Sequence, residues 1–452
     1  MSAPRPSSLP GLPLLGHTLR FVRDPLGLYG DVAAECDDVA RLRVLGIGEF
    51  YALTHPDHVE RALTDREAFA KTEDFRIALG ESVVATEGAQ WRRQRDALEE
   101  FFYPAQVRSY ADRMVDLTER RLDRWSAGER LSLHDEMGAV ALDNLFGTLF
   151  DRPLDPGGDE RLRRAANDLN LWFRATSFAL PTWVPTPSRR RFRTAVEAVE
   201  REARSLLREA REGNGSDNGP GDGNGPGAGD GDAAGDDLLS TLAALRAADG
   251  TDLADAEIVD QVVGLTFAGH DTTALVLTYA LHHLGTHDAV RDRFHAELDA
   301  VLDGPPTLAD VGDLDVTRRV VHETMRAYPP VHTIPRETTR AVEMGGYRLR
   351  AGTRTHLGIW GIHRDGRFWT DPASWRPSRW RTCSPESKGS AYLPFGAGPR
   401  TCLGRRFALL EATLVLAAVG RRYVVDPERP LAFDPMVTTQ PAHGVPARVR
   451  SR

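Results

Sequence analysis

One long helical segment, residues 254–284, which includes the longest apolar stretch at 262–284, constrains the fold of this 452-residue chain more than any other feature. A helix over this segment would be about 47 Å long at a rise of about 1.5 Å per residue, enough to cross a large domain. Its middle contains His270 and Asp271, which would be costly at the centre of a bilayer. The segment therefore predicts a buried helix that carries polar groups for a purpose, and not a membrane span.

Helical patterns also dominate the rest of the chain. Helix formers and amphipathic spacing predict further helices at residues 56–63, 91–102, 105–127, 133–149, 189–211, 238–248, 289–302, 314–327 and 405–420. Short β-type runs are few and dispersed, at residues 39–44, 50–53, 347–349, 353–357 and 423–425. The sequence therefore predicts a mainly α protein with small β-sheets. We expect residues 1–452 to form a single domain, although the length alone would also allow three.

One segment has low complexity. Residues 213–237 contain ten Gly, two Pro and six Asp and no aromatic residue, so we expect a disordered loop joining two helices. With Glu212 this stretch holds seven negative charges and no positive one; subtracting −7 from the net −8 leaves −1 for the other 426 residues. The remainder is therefore close to neutral, and no cluster of Arg is dense enough to predict nucleic-acid binding.

The cysteines and the N-terminus suggest where the protein resides. Cys36, Cys383 and Cys402 are too few for a disulfide framework and lack the paired spacing of a zinc site, which favours the cytoplasm. Residues 1–17 are rich in Pro and lack the apolar run of a signal peptide or membrane anchor. Gly46 and Gly48 lack the third glycine of a dinucleotide loop, so we expect no nucleotide cofactor.

The segment Phe395-Gly-Ala-Gly-Pro-Arg-Thr-Cys402-Leu-Gly404 places a cysteine in a glycine-rich loop directly before an amphipathic helix. Free amides and the positive end of the helix dipole favour a thiolate, so we expect a lowered pKa for the Cys402 thiol. Gly396 and Gly404 allow the backbone to approach a flat, bulky group. For a lone cysteine, a buried residue in a turn is the alternative.

The pattern Phe-Gly-x-Gly-x-Arg-x-Cys-x-Gly resembles the cysteine loop of the haem-thiolate monooxygenases, the cytochrome P-450 family, of the soluble prokaryotic type. The resemblance implies the cytochrome P-450 fold, in which haem b (iron protoporphyrin IX) is sandwiched between a long central helix and the cysteine loop. It implies that Cys402 is the axial iron ligand, that Phe395 covers the sulfur, and that loop N–H groups bind it.

A second motif, Glu323-Thr-Met-Arg326, places two opposite charges on one helix face. Alone, such a pair is usually a solvated surface pair. Its position before the cysteine loop, with Arg379 between, is similar to the ExxR helix of the family and its downstream arginine. The resemblance implies one buried ion network of Glu323, Arg326 and Arg379 that supports the loop.

A third motif, Ala268-Gly269-His270-Asp271-Thr272-Thr273, lies in the middle of the long segment. From the residues alone, it could be a kink whose Thr hydroxyls bond back to helix carbonyls. It also resembles the oxygen-binding groove of the family. That resemblance implies that Ala268 and Gly269 leave room for O2 and that Asp271 and Thr272 are the catalytic acid and alcohol that handle protons.

Haem propionates need cationic or N–H partners. The stretch from Trp91 to Arg95 resembles the WxxxR helix of the family, Arg336 follows Ile-Pro, and Arg400 precedes the cysteine by two residues. The resemblance assigns these four residues to the two carboxylates, although each arginine alone could be a surface residue.

The resemblance implies a monooxygenase that inserts one atom of O2 into a lipophilic small molecule. Electrons would come from a separate ferredoxin or flavodoxin, docked near Arg92, Arg93, Arg405 and Arg406. We expect a monomer without a membrane anchor. A peroxide-driven peroxygenase, a haem sensor or carrier, and a cofactor-free helical scaffold are the alternatives.

The substrate is predicted only as lipophilic, such as a fatty acid, terpenoid or steroid, because apolar lining is common to most pockets. The resemblance places the pocket at Leu265, Val331, Thr333, Ile334 and Thr438, with parts of residues 75–84 and Val437. His332 could pair with a polar group of the substrate or could point away from the pocket.

Overall fold

A computed structural model describes residues 5–155, 157–174, 184–216, 238–245 and 253–452. Helices account for most of the described chain, and six short 3-10 helices accompany them. The α-helices are α1 (Thr18–Arg23), α2 (Pro25–Glu35), α3 (Pro56–Thr64), α4 (Asp74–Leu79), α5 (Gly88–Glu99), α6 (Pro104–Ser109), α7 (Ala111–Leu122), α8 (Leu133–Leu149), α9 (Glu160–Asp168), α10 (Pro187–Ser216), α11 (Leu238–Leu245), α12 (Asp255–Thr286), α13 (Asp288–Val301), α14 (Asp315–Ala327), α15 (Ile359–Ile362) and α16 (Arg405–Arg422).

The long central helix predicted from the sequence is α12, which has 32 residues and is buried over most of its length. It packs against α8, α10, α14 and α16. Small residues allow the close approach: a Cβ added at Gly264 would lie 2.6 Å from Ser82 Cβ, and one at Gly269 would lie 3.1 Å from Leu145 Cδ1. Other segments of the protein therefore bury the polar middle of this helix.

In the described part of the chain, ten short strands form three sheets beside the helices. They are β1 (Val39–Val44), β2 (Gly48–Leu53), β3 (Phe69–Ala70), β4 (Arg130–Ser132), β5 (Ile334–Thr338), β6 (Val342–Met344), β7 (Tyr347–Leu349), β8 (Arg354–Leu357), β9 (Tyr423–Pro427) and β10 (Pro446–Ser451). The largest sheet has the order β1-β2-β8-β5-β3, in which only β2 and β8 are parallel. The second sheet joins β4, β10 and β9, and the third pairs β6 with β7.

Strand β5 contains Ile334 and Arg336, which the sequence patterns do not place on a strand. It pairs with β8 in antiparallel register, with Arg336 opposite Thr355. Side chains alternate along a strand, so Ile334 and Arg336 share one face of the sheet. The sequence does not predict this strand, because Pro335 interrupts a very short β-type run. Pairing with the distant strand β8 stabilises it instead.

The glycine-rich segment differs in part from expectation. Helix α10 continues to Ser216, so residues 213–216, which the sequence placed in a loop, belong to a helix. Backbone hydrogen bonds from the preceding helical turns offset the cost of Gly213 and Gly215 there. The rest of the expected loop, residues 217–237, lies outside the described residues, as do residues 246–248 of the expected helix 238–248. Within the described chain, no helix is long and apolar enough to cross a membrane.

Candidate active site

A cavity of ≈ 360 Å³ lies between the loop that carries Cys402 and the middle of α12. This volume falls within the range of ligand pockets, about 300–1,000 Å³. The sequence-predicted residues that line it are Trp91, Arg95, Leu265, Ala268, Gly269, Thr272, Val331, Thr333, Ile334, Arg336, Phe395, Gly396, Arg400, Cys402, Gly404 and Thr438. Segments more than 300 residues apart in sequence therefore meet at one site.

The loop before α16 holds Cys402 in place through its backbone. The N–H of Cys402 donates to the carbonyl of Phe395 at 2.9 Å. Gly396 and Gly398 have φ values of +68° and +69°, a conformation that other residues rarely adopt. A Cβ at Gly398 would lie 2.8 Å from Thr64 Cγ2, so this glycine also allows the loop to contact α3. The Cys402 side chain lines the cavity and is accessible.

The expectation of a lowered pKa for Cys402 is wrong for the protein alone. Burial raises the pKa of the thiol above its ordinary value of 9.0. The N–H of Gly404, Arg95 and Arg405 act in the opposite direction, but they do not outweigh the loss of solvent. A metal bound to the sulfur would supply the missing positive charge, because a coordinating thiol is deprotonated outright.

Helix α12 lines the cavity with several residues, and four of them share one helix face. Leu265 precedes the adjacent residues Ala268 and Gly269 by three and four positions, and Thr272 follows them by four and three. The hydroxyl of Thr272 donates to the carbonyl of Ala268 at 2.7 Å. The back-bonded hydroxyl that the residues alone allowed is thus present, and the same residue still faces the cavity.

Asp271 does not line the cavity, in contrast to its neighbour Thr272. Its side chain is 3% exposed, and both carboxylate oxygens accept from Gln440 Nε2 at 2.7 Å. The same amide nitrogen donates to Thr438 Oγ1 at 2.9 Å, and Thr438 lines the cavity. Gln440, which the sequence did not indicate, therefore lies between Asp271 and the site.

The ExxR residues form one buried cluster behind the cysteine loop. Arg326 donates to both carboxylate oxygens of Glu323, at 2.9 and 3.1 Å, and Arg379 Nε donates to Glu323 at 2.9 Å. Glu323 and Arg326 have no exposed side-chain surface. Trp380 Nε1 and the N–H of Arg376 also donate to Glu323, at 3.0 and 2.8 Å. The remaining N–H groups of Arg326 donate to the carbonyls of His363, Pro372 and Ser374, so its charge is fully hydrogen-bonded.

The cationic side chains at one edge of the cavity outnumber the anionic ones. Arg95, Arg336 and Arg400 lie there together with Lys71, which the sequence did not indicate. Burial, with Arg400 and Arg336, lowers the pKa of Lys71 well below its ordinary value. Burial and Arg400 lower the pKa of Arg336 to about 10. Glu87 is the carboxylate that opposes both shifts.

These cations are held in place by short-range contacts. Arg400 pairs with Glu87, donates to the carbonyl of Thr86 at 3.1 Å and lies 4.3 Å from the centre of the Trp91 ring. Arg95 donates to the carbonyl of Thr401 at 3.1 Å, beside Cys402. Lys71 donates to the carbonyls of Val83 and Val84, which brings that loop to the cavity. Lys71 is one of two lysines among 57 cationic residues, a compositional signal that could have drawn attention to it.

The lining fits a haem. A single cysteine faces the cavity, and the unbalanced cations at one edge suit the two propionates of the macrocycle. Among the described residues, no group of three or more His, Cys, Asp or Glu could hold a metal ion by itself. Cys402 would thus supply the axial ligand of an iron that a macrocycle already holds.

Glu411, a buried acid that the sequence analysis did not indicate, lies behind the cavity wall. Glu411 on α16 is 1% exposed and accepts from Asn144 Nδ2 at 3.0 Å, and it also interacts with Thr273, a lining residue. Burial raises the pKa of Glu411 to about 8. A lone Glu within the apolar stretch 407–420 was the available sequence signal.

Glu411 should make the stability of the protein depend on pH. Its pKa is about 8 in the folded state and near 4.5 in the unfolded state, so its contribution is complete below pH 4.5 and is lost as pH rises through 8. We expect the Tm of the wild type to fall between pH 5 and 8.5 by more than that of Glu411→Gln, which mimics the neutral acid. The exposed Glu49→Gln should follow the wild type, and parallel curves for Glu411→Gln and the wild type would contradict this assignment.

Comparison with known proteins agrees with the geometry. The family model described as cytochrome P450 matches residues 6–444. The cyclooctat-9-en-7-ol 5-monooxygenase of Streptomyces melanosporofaciens is 32% identical, over 92% of this chain and 88% of its own length. The pentalenene oxygenase of Streptomyces avermitilis is 30% identical, over 98% of this chain and 95% of its own. The crystal structure of the cytochrome P450DA heme domain has the same fold, with a TM-score of 0.83, 24% identity and coverage of 100% of this chain and 98% of that one.

The chain belongs to the cytochrome P450 family. The mainly α fold expected from the sequence is confirmed, and the protein is a haem b monooxygenase. Such an enzyme needs an organic substrate, O2 and a redox partner.

Proposed function

We propose that this P450 oxidises a lipophilic substrate bound beside α12, with Cys402 as the residue that would hold the haem iron. The observation that carries this proposal is the placement of Cys402 opposite Ala268, Gly269 and Thr272 across one apolar cavity with a cationic edge. The haem supplies the oxygen chemistry, and a thiolate ligand favours O–O cleavage. The protein supplies the binding site, its orientation and its electrostatics.

The residues around the cavity would have three separate roles. Arg95, Arg336 and Arg400, with Lys71, would hold the two propionates through their N–H groups. Apolar side chains such as Leu265 and Val331 would exclude water and bind the substrate. The ion network of Glu323, Arg326 and Arg379 would keep the cysteine loop in position.

Proton delivery would use Thr272 and Asp271 on adjacent positions of α12. The Thr272 hydroxyl faces the cavity and donates its own proton to the carbonyl of Ala268, so its oxygen would accept a hydrogen bond from a group in the cavity. Asp271 would position Gln440, whose amide N–H groups donate to Asp271 and to Thr438 on the cavity wall.

Labelled oxygen tests the proposed reaction. With an electron donor and 18O2, the hydroxylated product of a substrate should carry one 18O atom, whereas product formed in H2 18O with unlabelled O2 should not. A second experiment supplies hydrogen peroxide without an electron donor. It is included because Asp271 is hydrogen-bonded to Gln440, and a peroxide-driven reaction does not require proton delivery to O2. Faster turnover with peroxide than with O2 and donor would replace the proposal by a peroxygenase.

The electron donor is proposed to be an acidic ferredoxin or flavodoxin that docks near the cysteine loop. Arg92, Arg405 and Arg406 are exposed there. Two of the predicted arginines are already paired with carboxylates: Arg93 with Glu257 at 2.7 Å and Arg405 with Glu386 at 3.6 Å. Arg405 also lies over Phe395, with 5.8 Å between its guanidinium carbon and the ring centre. Arg406 is therefore chosen for mutation, because changing Arg405 would also remove this contact with the cysteine loop.

Reduction of the haem by an acidic ferredoxin should slow as salt rises, since exposed charges are screened within about 10 Å at 0.1 M ionic strength. Arg406→Glu should reduce the rate at low salt about tenfold and flatten the salt dependence. Arg448→Glu, a charge reversal on β10, is the control and should leave both unchanged. A wild-type rate that does not respond to salt would exclude this docking surface.

The substrate class is proposed from the lining and the relatives. Relatives act, by their names, on pentalenene and on the unsaturated alcohol cyclooctat-9-en-7-ol. The apolar cavity fits a compact hydrocarbon skeleton of this kind. We further propose that the enzyme works as a monomer in the cytoplasm, where its three free cysteines would remain reduced.

A further inference from the structure

A second, smaller cavity of ≈ 80 Å³ adjoins the one over Cys402. Phe75, Thr333, Pro335 and Val437 line both cavities, so they form the boundary between them. The space is too small for a whole substrate and large enough for one end of it. We call it the side cavity.

Aromatic rings lie along the boundary between the main cavity and the side cavity. Phe75 and Phe173 line the side cavity, with their ring centres 5.1 Å apart. Phe173 lies 5.4 Å from Phe267, which lines the main cavity. A lipophilic skeleton that extends from one cavity into the other would therefore contact apolar rings along its length.

The wall of the side cavity includes three polar rings, those of Tyr29, His332 and His356. The Tyr29 hydroxyl and His356 Nδ1 are 2.5 Å apart and satisfy each other. His332 is 2% exposed, and neither of its ring nitrogens makes a hydrogen bond within the described residues. Its Nδ1 is fully enclosed, so a ligand in the side cavity would bond the ring through Nε2. A hydrogen bond to Nε2 in this enclosed space competes with little water, so it contributes more than one at an open surface.

The side cavity carries no net charge that would attract an ionised group. Burial lowers the pKa of His332 and of His356 to about 3, so both rings are neutral at pH 7. Asp74 and Arg354, which also line the cavity, pair with each other at 3.1 Å. The site is therefore suited to a neutral hydroxyl or carbonyl oxygen, and an ionised carboxylate would lose its hydration without gaining a free cation.

We propose that the side cavity is a subsite that binds a neutral hydroxyl or carbonyl oxygen of the substrate through His332, while a remote carbon of the same molecule lies over Cys402. This proposal rests on the proposed function, because it assigns a substrate class to the same enzyme. It favours an alcohol or ketone with a lipophilic skeleton over a hydrocarbon and over a fatty acid.

The test compares matched ligands in the haem-loaded protein. Cyclooctane, cyclodecane and cyclododecane are paired with their alcohols, and dodecanoate serves as the anionic probe. Dissociation constants are measured by equilibrium dialysis, which does not require a spectral change, and the Soret shift is recorded in parallel. We expect at least one alcohol to bind about tenfold more tightly than its hydrocarbon and more tightly than dodecanoate.

His332→Phe should remove the alcohol preference and leave the affinity for the hydrocarbon within twofold. His332→Gln, which restores a donor and an acceptor, should recover part of the preference. His283→Phe is the matched control: this buried histidine also has no partner for either nitrogen among the described residues, but it stacks on Tyr328 and Trp375 away from both cavities. It should behave as the wild type.

Three outcomes overturn the subsite: no alcohol preference in any pair, a preference that persists in His332→Phe, or tighter binding of dodecanoate that depends on His332. The reduced carbon monoxide spectrum of each sample separates this result from the proposed function. A normal band near 450 nm with no alcohol preference rejects the subsite alone, whereas a missing band in the wild type rejects the haem-thiolate site itself.

Discussion

Replacing Cys402 with Ala will abolish the absorbance band near 450 nm of the reduced carbon monoxide complex, because that position requires a thiolate ligand. Cys402 is the cysteine that faces the cavity, so no other thiol among the described residues can take its place. Turnover with O2 and donor should fall to background. The measurement is the difference spectrum of purified protein, scaled to haem content.

Cys36→Ala is the control for this substitution. Cys36 is a free cysteine at the end of α2 and lies outside both cavities, so its removal should change neither the band nor the turnover. A band at the same wavelength in Cys402→Ala would mean that a different residue ligates the iron. The proposed function would then be wrong at its central residue.

Arg326→Ala should destabilise the protein by about 3–5 kcal/mol, because it leaves the buried Glu323 carboxylate without its principal partner. Both side chains have no exposed surface, so water cannot replace the lost contacts. We expect most of the variant to be insoluble and the soluble part to bind little haem. Urea unfolding of the haem-loaded protein measures the difference.

The same helix supplies a control with the same spacing. Arg318 pairs with Asp315 three residues away on α14, but its side chain is 42% exposed. Arg318→Ala should change the free energy of unfolding by less than about 1 kcal/mol, as is usual for surface pairs. Equal effects for Arg318→Ala and Arg326→Ala would show that burial does not govern the ExxR pair.

The helices were well predicted where their apolar spacing was strong. The sequence predicted a helix at 133–149, and α8 is Leu133–Leu149. The region 105–127 instead divides into α6 and α7, and α2 and α9 were missed. Helix α2 begins with Pro25 after an Asp24 cap and contains two glycines, so its propensity is low and packing against the rest of the protein stabilises it.

The cysteine loop and the ExxR pair could be identified from the sequence because their residues lie within ten and four positions of one another. Local spacing fixes the turn that holds Cys402 and the helix face that joins Glu323 to Arg326. The sequence by itself therefore determined the class of chemistry and the central helix, and it predicts Cys402 as the iron ligand.

Only the tertiary structure decided which distant residues complete the site. Lys71, Gln440 and Glu411 join it through contacts with segments far away in sequence, and no local pattern encodes such contacts. Asp271 and Thr272 are adjacent in sequence, yet the helix turns one toward Gln440 and the other toward the cavity. Burial, which depends on the whole fold, reversed the expected pKa shift of Cys402 and left His332 neutral beside a second cavity.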